Sequence, residues 1–238
     1  MKYLRVFILL VPVACLMAGA APSLAPESLV DTYETASQEQ SARLRGATME
    51  VDIEASLPKL QKHGRLHALR HISRLGRITY DALHFEGDST VKNGVIARYL
   101  TAEVQAQTND LASFAITASN YKFKYKGLFN YRERQIHVFQ LTPRKKQVGL
   151  FKGELWLDAD TCLPVRESGR MVKNPSVFLR RVYFVREYEI RDGLAIPTRI
   201  ESIVDTRLVG KAELTVRFRN VALAQDSVFS AASDTSSE

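Results

Sequence analysis

Tyr121-Lys122-Phe123-Lys124-Tyr125-Lys126 alternates aromatic and basic residues without a break. Successive side chains on a strand point to opposite faces. Tyr121, Phe123 and Tyr125 therefore share one face, and three lysines share the other. Gln135-Ile136-His137-Val138-Phe139-Gln140-Leu141 and Phe151-Lys152-Gly153-Glu154-Leu155-Trp156-Leu157-Asp158 continue in strand-like composition. Leu155 and Leu157 fall on one face, and Trp156 faces the other way. One apolar and one wet face is the pattern of an antiparallel sheet.

Further short β-patterned runs follow, at about 163–173, 177–190, 195–206 and 210–222. The turns between strands fall at Leu128 to Tyr131, Thr142-Pro143-Arg144, Asp158 to Cys162, Asn174-Pro175, Arg191-Asp192-Gly193 and Val209-Gly210. Connections this short join antiparallel neighbours, and Asp192-Gly193 is a strong hairpin signal. In the last strand Leu214, Val216 and Phe218 share a face.

The first half of the chain begins with a helical spacing. Leu29, Tyr33, Ala36, Gln40 and Leu44 fall near one side of Glu27 to Leu44, with Ser28 and Asp31 available as caps. From Ala47 the period becomes two, with Met49, Val51, Ile53 and Ala55 alternating with polar residues. Strands at about 64–73 and 76–86 follow, punctuated by glycines, although Leu66, Leu69, Ile72, Leu75 and Ile78 also recur every three residues. Ser89 to Gln107 returns to a helical pattern, with Val95, Ile96, Tyr99, Leu100 and Val104 on one face. His63, His67 and His71 would stack if helical. On a strand about 13 Å separates neighbours at roughly 3.3 Å per residue, too far for a shared metal ion. The expectation is no metal and no cofactor.

The N-terminus has the build of a secretory signal. Lys2 and Arg5 precede an apolar run, Val6 to Leu16, and Ala18-Gly19-Ala20 supplies a small-x-small cleavage site. The divisions expected are a signal over 1–20, one domain over 21–223 and a flexible tail over 224–238. Lipidation at Cys15 is the competing reading, and Pro12-Val13-Ala14 fits it less well. With Cys15 removed, Cys162 stands alone and reads as a neutral structural thiol in a turn. A periplasmic location follows. The formal charge is +7, or about +5 without Lys2 and Arg5. The basic residues read as spread along the chain rather than clustered, which argues against nucleic acid and leaves room for transient contact with a membrane surface.

Helices early and strands in succession give an α+β protein. Its large antiparallel sheet must curl and carry helices on its concave face. At this point the chain resembles the LolA/LolB-like superfamily of periplasmic lipoprotein carriers. The resemblance lies in the order of elements over most of 27–222 and in a few short motifs. These are Phe139-Gln140-Leu141-Thr142-Pro143, Gly153-Glu154-Leu155-Trp156-Leu157-Asp158, Leu163-Pro164-Val165-Arg166, Arg191-Asp192-Gly193-Leu194-Ala195-Ile196-Pro197 and Phe218-Arg219-Asn220-Val221. It implies an unclosed barrel that holds acyl chains in a hydrophobic cavity.

The functional expectation is an exported, non-enzymatic and monomeric binding protein for a lipid, acyl chain or lipoprotein. Its ligand would be lined by Tyr121, Phe123, Tyr125, Leu155, Leu157, Leu214, Val216 and Phe218. An acyl chain gains about 0.8 kcal/mol per buried methylene, so such a cavity needs no special motif. The alternative is an envelope interaction or sensor module. It would bind through the outer face or an edge strand, with Lys122, Lys124, Lys126, Arg144, Lys145 and Lys146 as a basic patch. No nucleophile elbow, phosphate loop or metal-ligand spacing points to an enzyme.

Overall fold

A computed structural model describes residues 25–106, 111–174, 179–207 and 210–224. The signal over 1–20, the next residues 21–24, all but Ala224 of the 224–238 tail, and the expected turn residues Pro175 and Val209 lie outside the described residues.

Among the described residues ten strands form one sheet: β1 (Thr48–Leu57), β2 (Lys62–Ile72), β3 (Ile78–Gly87), β4 (Tyr121–Tyr131), β5 (Arg134–Pro143), β6 (Phe151–Asp158), β7 (Pro164–Met171), β8 (Leu179–Arg191), β9 (Leu194–Thr206) and β10 (Lys211–Ala222). Their order is β3-β2-β1-β10-β9-β8-β7-β6-β5-β4. Every neighbouring pair is antiparallel. β3 and β4 do not meet, so the sheet curls without closing, as expected. The segment 66–78, where strand and helix patterns competed, is two strands joined by a turn at 73–77: Lys62–Ile72 pairs with both β1 and β3.

Helix α1 (Pro26–Arg43) lies on the inner face. Its start differs from the expectation. Pro26 occupies the first turn, Ala25 is the cap residue with no side-chain bond, and the Ser28 hydroxyl donates back to Ala25 O. Proline's fixed φ suits that position and its missing N–H costs nothing there. Leu29, Val30 and Tyr33 bury, while Gln40 accepts from Ala195 N and Arg43 donates to the carbonyls of Asp192 and Gly193. The partly polar face of α1 thus crosses the sheet and ends on the β8–β9 hairpin.

The second helical stretch opens with α2 (Ser89–Val91), capped by Asp88, passes through a π turn (Lys92–Ile96) containing Gly94, and continues as α3 (Ala97–Ala106). Val91, Ile96, Val95, Tyr99 and Leu100 pack on the sheet. Val104, expected on the same face, is 40% exposed. Glu103, four residues after Tyr99, turns inward instead.

Two apolar clusters result. One joins β1, β2 and β10 to the second helical stretch, and the other joins α1 to β4–β7 and Phe184. The turn expected at Leu128 to Tyr131 falls later. Arg132 (φ 47) and Glu133 (φ 65) make a two-residue turn, and Gly127 (φ 129) forms a bulge inside β4. The glycine signal marked the bulge, not the turn. Asp192 (φ 51) and Gly193 (φ 68) form the expected β8–β9 turn.

Candidate ligand-binding face

The inner face takes its character from strand parity. On β4 and β6, Tyr121, Leu155 and Leu157 are fully buried, and Phe123 and Tyr125 pack beside them under α1. On β10, Leu214, Val216 and Phe218 bury under the second helical stretch. All eight residues named from the sequence therefore share the inner side of one sheet. They are divided between the two clusters, five on one side and three on the other.

Aromatic contacts stitch the first group together. Phe123 meets Phe139 edge-on at 6.0 Å, and Tyr125 lies 5.2 Å from the same ring. Tyr121 stands 5.6 Å from Phe151, which meets Phe184 at 4.9 Å. The Tyr121 hydroxyl accepts from Phe151 N, and burial pushes its pKa up to about 12. Burial likewise raises Tyr125, whose hydroxyl lies 2.9 Å from His137 Nδ1, and lowers His137.

The clusters meet over β8 and β9. There the inner-facing Val182, Arg186, Tyr188, Ile200, Ser202 and Val204 are only half-buried. Arg186 faces inward on β8, yet 43% of its side chain stays accessible. A charged side chain that keeps its water on the inner face marks a wet strip between the two clusters.

Two ionic networks flank this seam, and neither was anticipated. On β7, Glu167 is buried; its Oε2 accepts from Arg186 at 3.3 Å and its Oε1 from the Tyr188 hydroxyl at 3.0 Å. Burial, the largest single influence, works against the Arg186 charge, but Glu167 together with Tyr188 and Tyr99 outweighs it and the guanidinium pKa rises. Burial and the Glu167 charge raise Tyr188 and Tyr33. On β2, Arg70 points inward and donates to Glu103 Oε1 from Nη2 (2.9 Å) and Nε (3.2 Å). The Tyr80 hydroxyl holds the other oxygen of Glu103, Tyr99 also hydrogen-bonds that carboxylate, and Arg70 lies 5.8 Å above the Phe218 ring.

The signal for both networks was present in the sequence. Arg70 shares parity with Gly64, Leu66, Ala68 and Ile72, and Arg186 shares parity with Phe184 and Tyr188. A charged residue on an apolar parity marks an inward charge that needs a partner.

Searches against family models and against curated proteins found no match. Solved structures gave matches in fold. A DUF1329 family protein from Desulfovibrio piger matches with a TM-score of 0.47 and 12% identity, over 83% of this chain and 92% of that one. A LolA superfamily protein from Nitrosomonas europaea gives 0.45 and 13%, over 84% and 94%. A domain described as that of an outer membrane lipoprotein-sorting protein from Vibrio parahaemolyticus gives 0.39 and 10%, over 80% and 91%. The chain is similar to these proteins in fold.

The outer face is ionic around β1. Asp52, on the parity opposite Val51 and Ile53, is 5% exposed beneath Arg65, His67 and Arg219, at 3.3, 3.2 and 3.1 Å. Burial opposes its charge, but the bonds from His67 and the two arginines prevail and lower its pKa. His63, His67 and His71 lie along the outer parity of β2, and their neighbours are carboxylates: His67 meets Asp52 and His71 meets Asp81. A cavity of about 470 Å³ opens beside them between Glu54, Ser56, His63, Arg65, Glu86 and Glu213.

Trp156 also faces outward. It meets Tyr131 edge-on at 5.1 Å, carries the Arg166 guanidinium at 4.7 Å and donates to Glu154. Cys162 is buried in the β6–β7 turn at φ 55, and burial together with nearby Asp158 raises its thiol pKa. That suits the structural thiol expected.

Proposed function

We propose that the protein is an exported, non-enzymatic carrier that holds a lipid or lipoprotein acyl chain along the seam between its two apolar clusters. The half-buried strip over β8 and β9, with Arg186 inward yet accessible, is the observation that carries this reading. Tyr121, Phe123, Tyr125, Leu155 and Leu157 would flank the chain on one side, and Leu214, Val216 and Phe218 on the other. Residues 1–20 direct the protein to the periplasm in this reading. The polar groups on the groove floor suit an amphiphile, whose ester or acid oxygens accept from arginine and tyrosine, better than a bare hydrocarbon.

Native mass spectrometry of the purified protein, followed by lipid extraction, tests the reading. The expected result is a co-purifying acyl lipid. Ser202→Trp, which places a bulky ring on the half-buried strip, is expected to lower occupancy about tenfold while the far-ultraviolet circular dichroism is retained. That loss matches about 1.4 kcal/mol of lost apolar contact. Wild-type protein that carries no lipid and takes up no fluorescent fatty acid would sink the proposal.

A further inference from the structure

The chain's net charge sits in one hairpin. Residues 121–146 hold eight basic side chains (Lys122, Lys124, Lys126, Arg132, Arg134, Arg144, Lys145 and Lys146) against one acidic, Glu133. That excess of seven equals the formal +7 of the whole protein, and the rest of the chain carries 25 basic and 25 acidic residues. The basic residues are therefore not spread evenly, contrary to the expectation from the sequence. A running count of both signs finds the excess, where the positions of the basic residues alone conceal it.

The fold lays this charge along a free edge. Among the described residues β4 pairs only with β5, and its eleven residues span about 36 Å at roughly 3.3 Å each. Lys122, Lys124 and Lys126 are exposed on it, and Lys145 and Lys146 are exposed beyond its partner strand. None of these five makes an ion pair among the described residues. Around β1, by contrast, Arg65, Arg217 and Arg219 are each matched by a carboxylate.

Apolar groups mark the far end of the same edge. Leu128 is 47% exposed and Phe129 50% exposed, just after the Gly127 bulge. Tyr131, edge-on to Trp156 and beneath the Arg132 guanidinium, lies two residues further along the strand. Edge-strand lysines also keep a sheet from pairing with other strands. That role covers the three on β4. Arg132 pairs with Glu187 and Arg144 donates to Ala118 O, but Lys145 and Lys146 stay unexplained, and an exposed Leu128-Phe129 pair works against it.

We infer that the β4–β5 edge docks on an anionic phospholipid bilayer, with Leu128 and Phe129 entering the headgroup boundary and the lysines facing lipid phosphates. Cations held beside interfacial apolar and aromatic side chains are what such a surface takes. Nucleic acid would answer the charge but leave Leu128 and Phe129 in water. The docking is independent of the ligand groove, so its failure leaves the lipid-occupancy test standing.

Vesicle co-sedimentation of the purified protein tests it. Binding is expected to vesicles that mix phosphatidylglycerol with phosphatidylcholine, not to phosphatidylcholine alone, and high salt should release it. Lys122→Gln with Lys124→Gln and Lys126→Gln is expected to weaken binding about a hundredfold. Leu128→Ser with Phe129→Ser should weaken it about tenfold. Both variants alter exposed side chains and should keep the wild-type denaturation midpoint. Neutralising Arg45, Arg74 and Arg77, exposed elsewhere, should leave binding unchanged. The inference is overturned by equal binding to neutral vesicles, by equal loss from the two neutralised triplets, by an inert Leu128/Phe129 variant, or by a short DNA duplex held more tightly than the vesicles at the same salt.

Discussion

The inward arginines are the residues that most depart from an oily interior. Arg70 is 8% exposed, and its guanidinium is held by Glu103, Met49 Sδ and the Phe218 ring. Taking two charges from water costs several kcal/mol each, and the pair recovers this only with good geometry and further hydrogen bonds. Tyr80 and Tyr99 supply those bonds to Glu103. Removing one partner leaves the other charge buried, whereas removing both removes the charges and leaves only the Tyr80 and Tyr99 hydroxyls without their acceptor. Arg70→Met is therefore expected to destabilise the protein by about 3 kcal/mol, and Arg70→Met with Glu103→Leu to recover part of that loss. Urea denaturation of the two single variants and the double variant measures the coupling. Additive losses would show that the pair is not acting as a unit.

At the scale of the element, strands were the most legible feature because alternation and turn chemistry agree along most of the chain. The β8–β9 hairpin was readable from Asp192-Gly193 alone. The β4–β5 turn was not, because Arg132 and Glu133 are poor residues for two positive φ angles, while Gly127 drew the turn toward the bulge. A side chain in the left-handed region costs roughly 1–2 kcal/mol. Long pairing on both flanks, from Tyr121↔Pro143 to Tyr131↔Arg134, holds this turn in place against its local preference. Replacing Arg132-Glu133 by Asn-Gly, the pair such turns favour, is expected to raise stability by about 1 kcal/mol. Thermal unfolding would read this as a higher midpoint with unchanged vesicle binding at moderate salt, since the two charges removed are of opposite sign. The second helix was legible as an element and in most of its facing: Val95, Ile96, Tyr99 and Leu100 meet the sheet as expected, and only Val104 of the expected face turns out.

At the scale of the molecule, one sheet carries two apolar clusters inside and a lattice of ion pairs outside. Alternation showed which parity is apolar, and so placed all eight candidate residues on one face. It could not show that the row is split, because the split depends on where two helices far apart in sequence come to rest. The outer lattice ties stability to pH. Asp52 is gripped by Arg65, His67 and Arg219, and Asp158 by Arg134 and Thr161. Burial opposes both charges, yet these bonds hold both pKa values below the ordinary carboxylate range. A depressed folded-state pKa stabilises the protein fully above the unfolded value, about 3.9 for aspartate, and the contribution drains away as pH falls through the lower folded value. The urea midpoint is therefore expected to hold steady from neutral pH down to about 5 with respect to these two groups and to fall below about 4. Asp52→Asn with Asp158→Asn should be less stable at neutral pH and should lose less on acidification. A wild-type acid limb that the double variant reproduces in full would place the acid sensitivity in other groups.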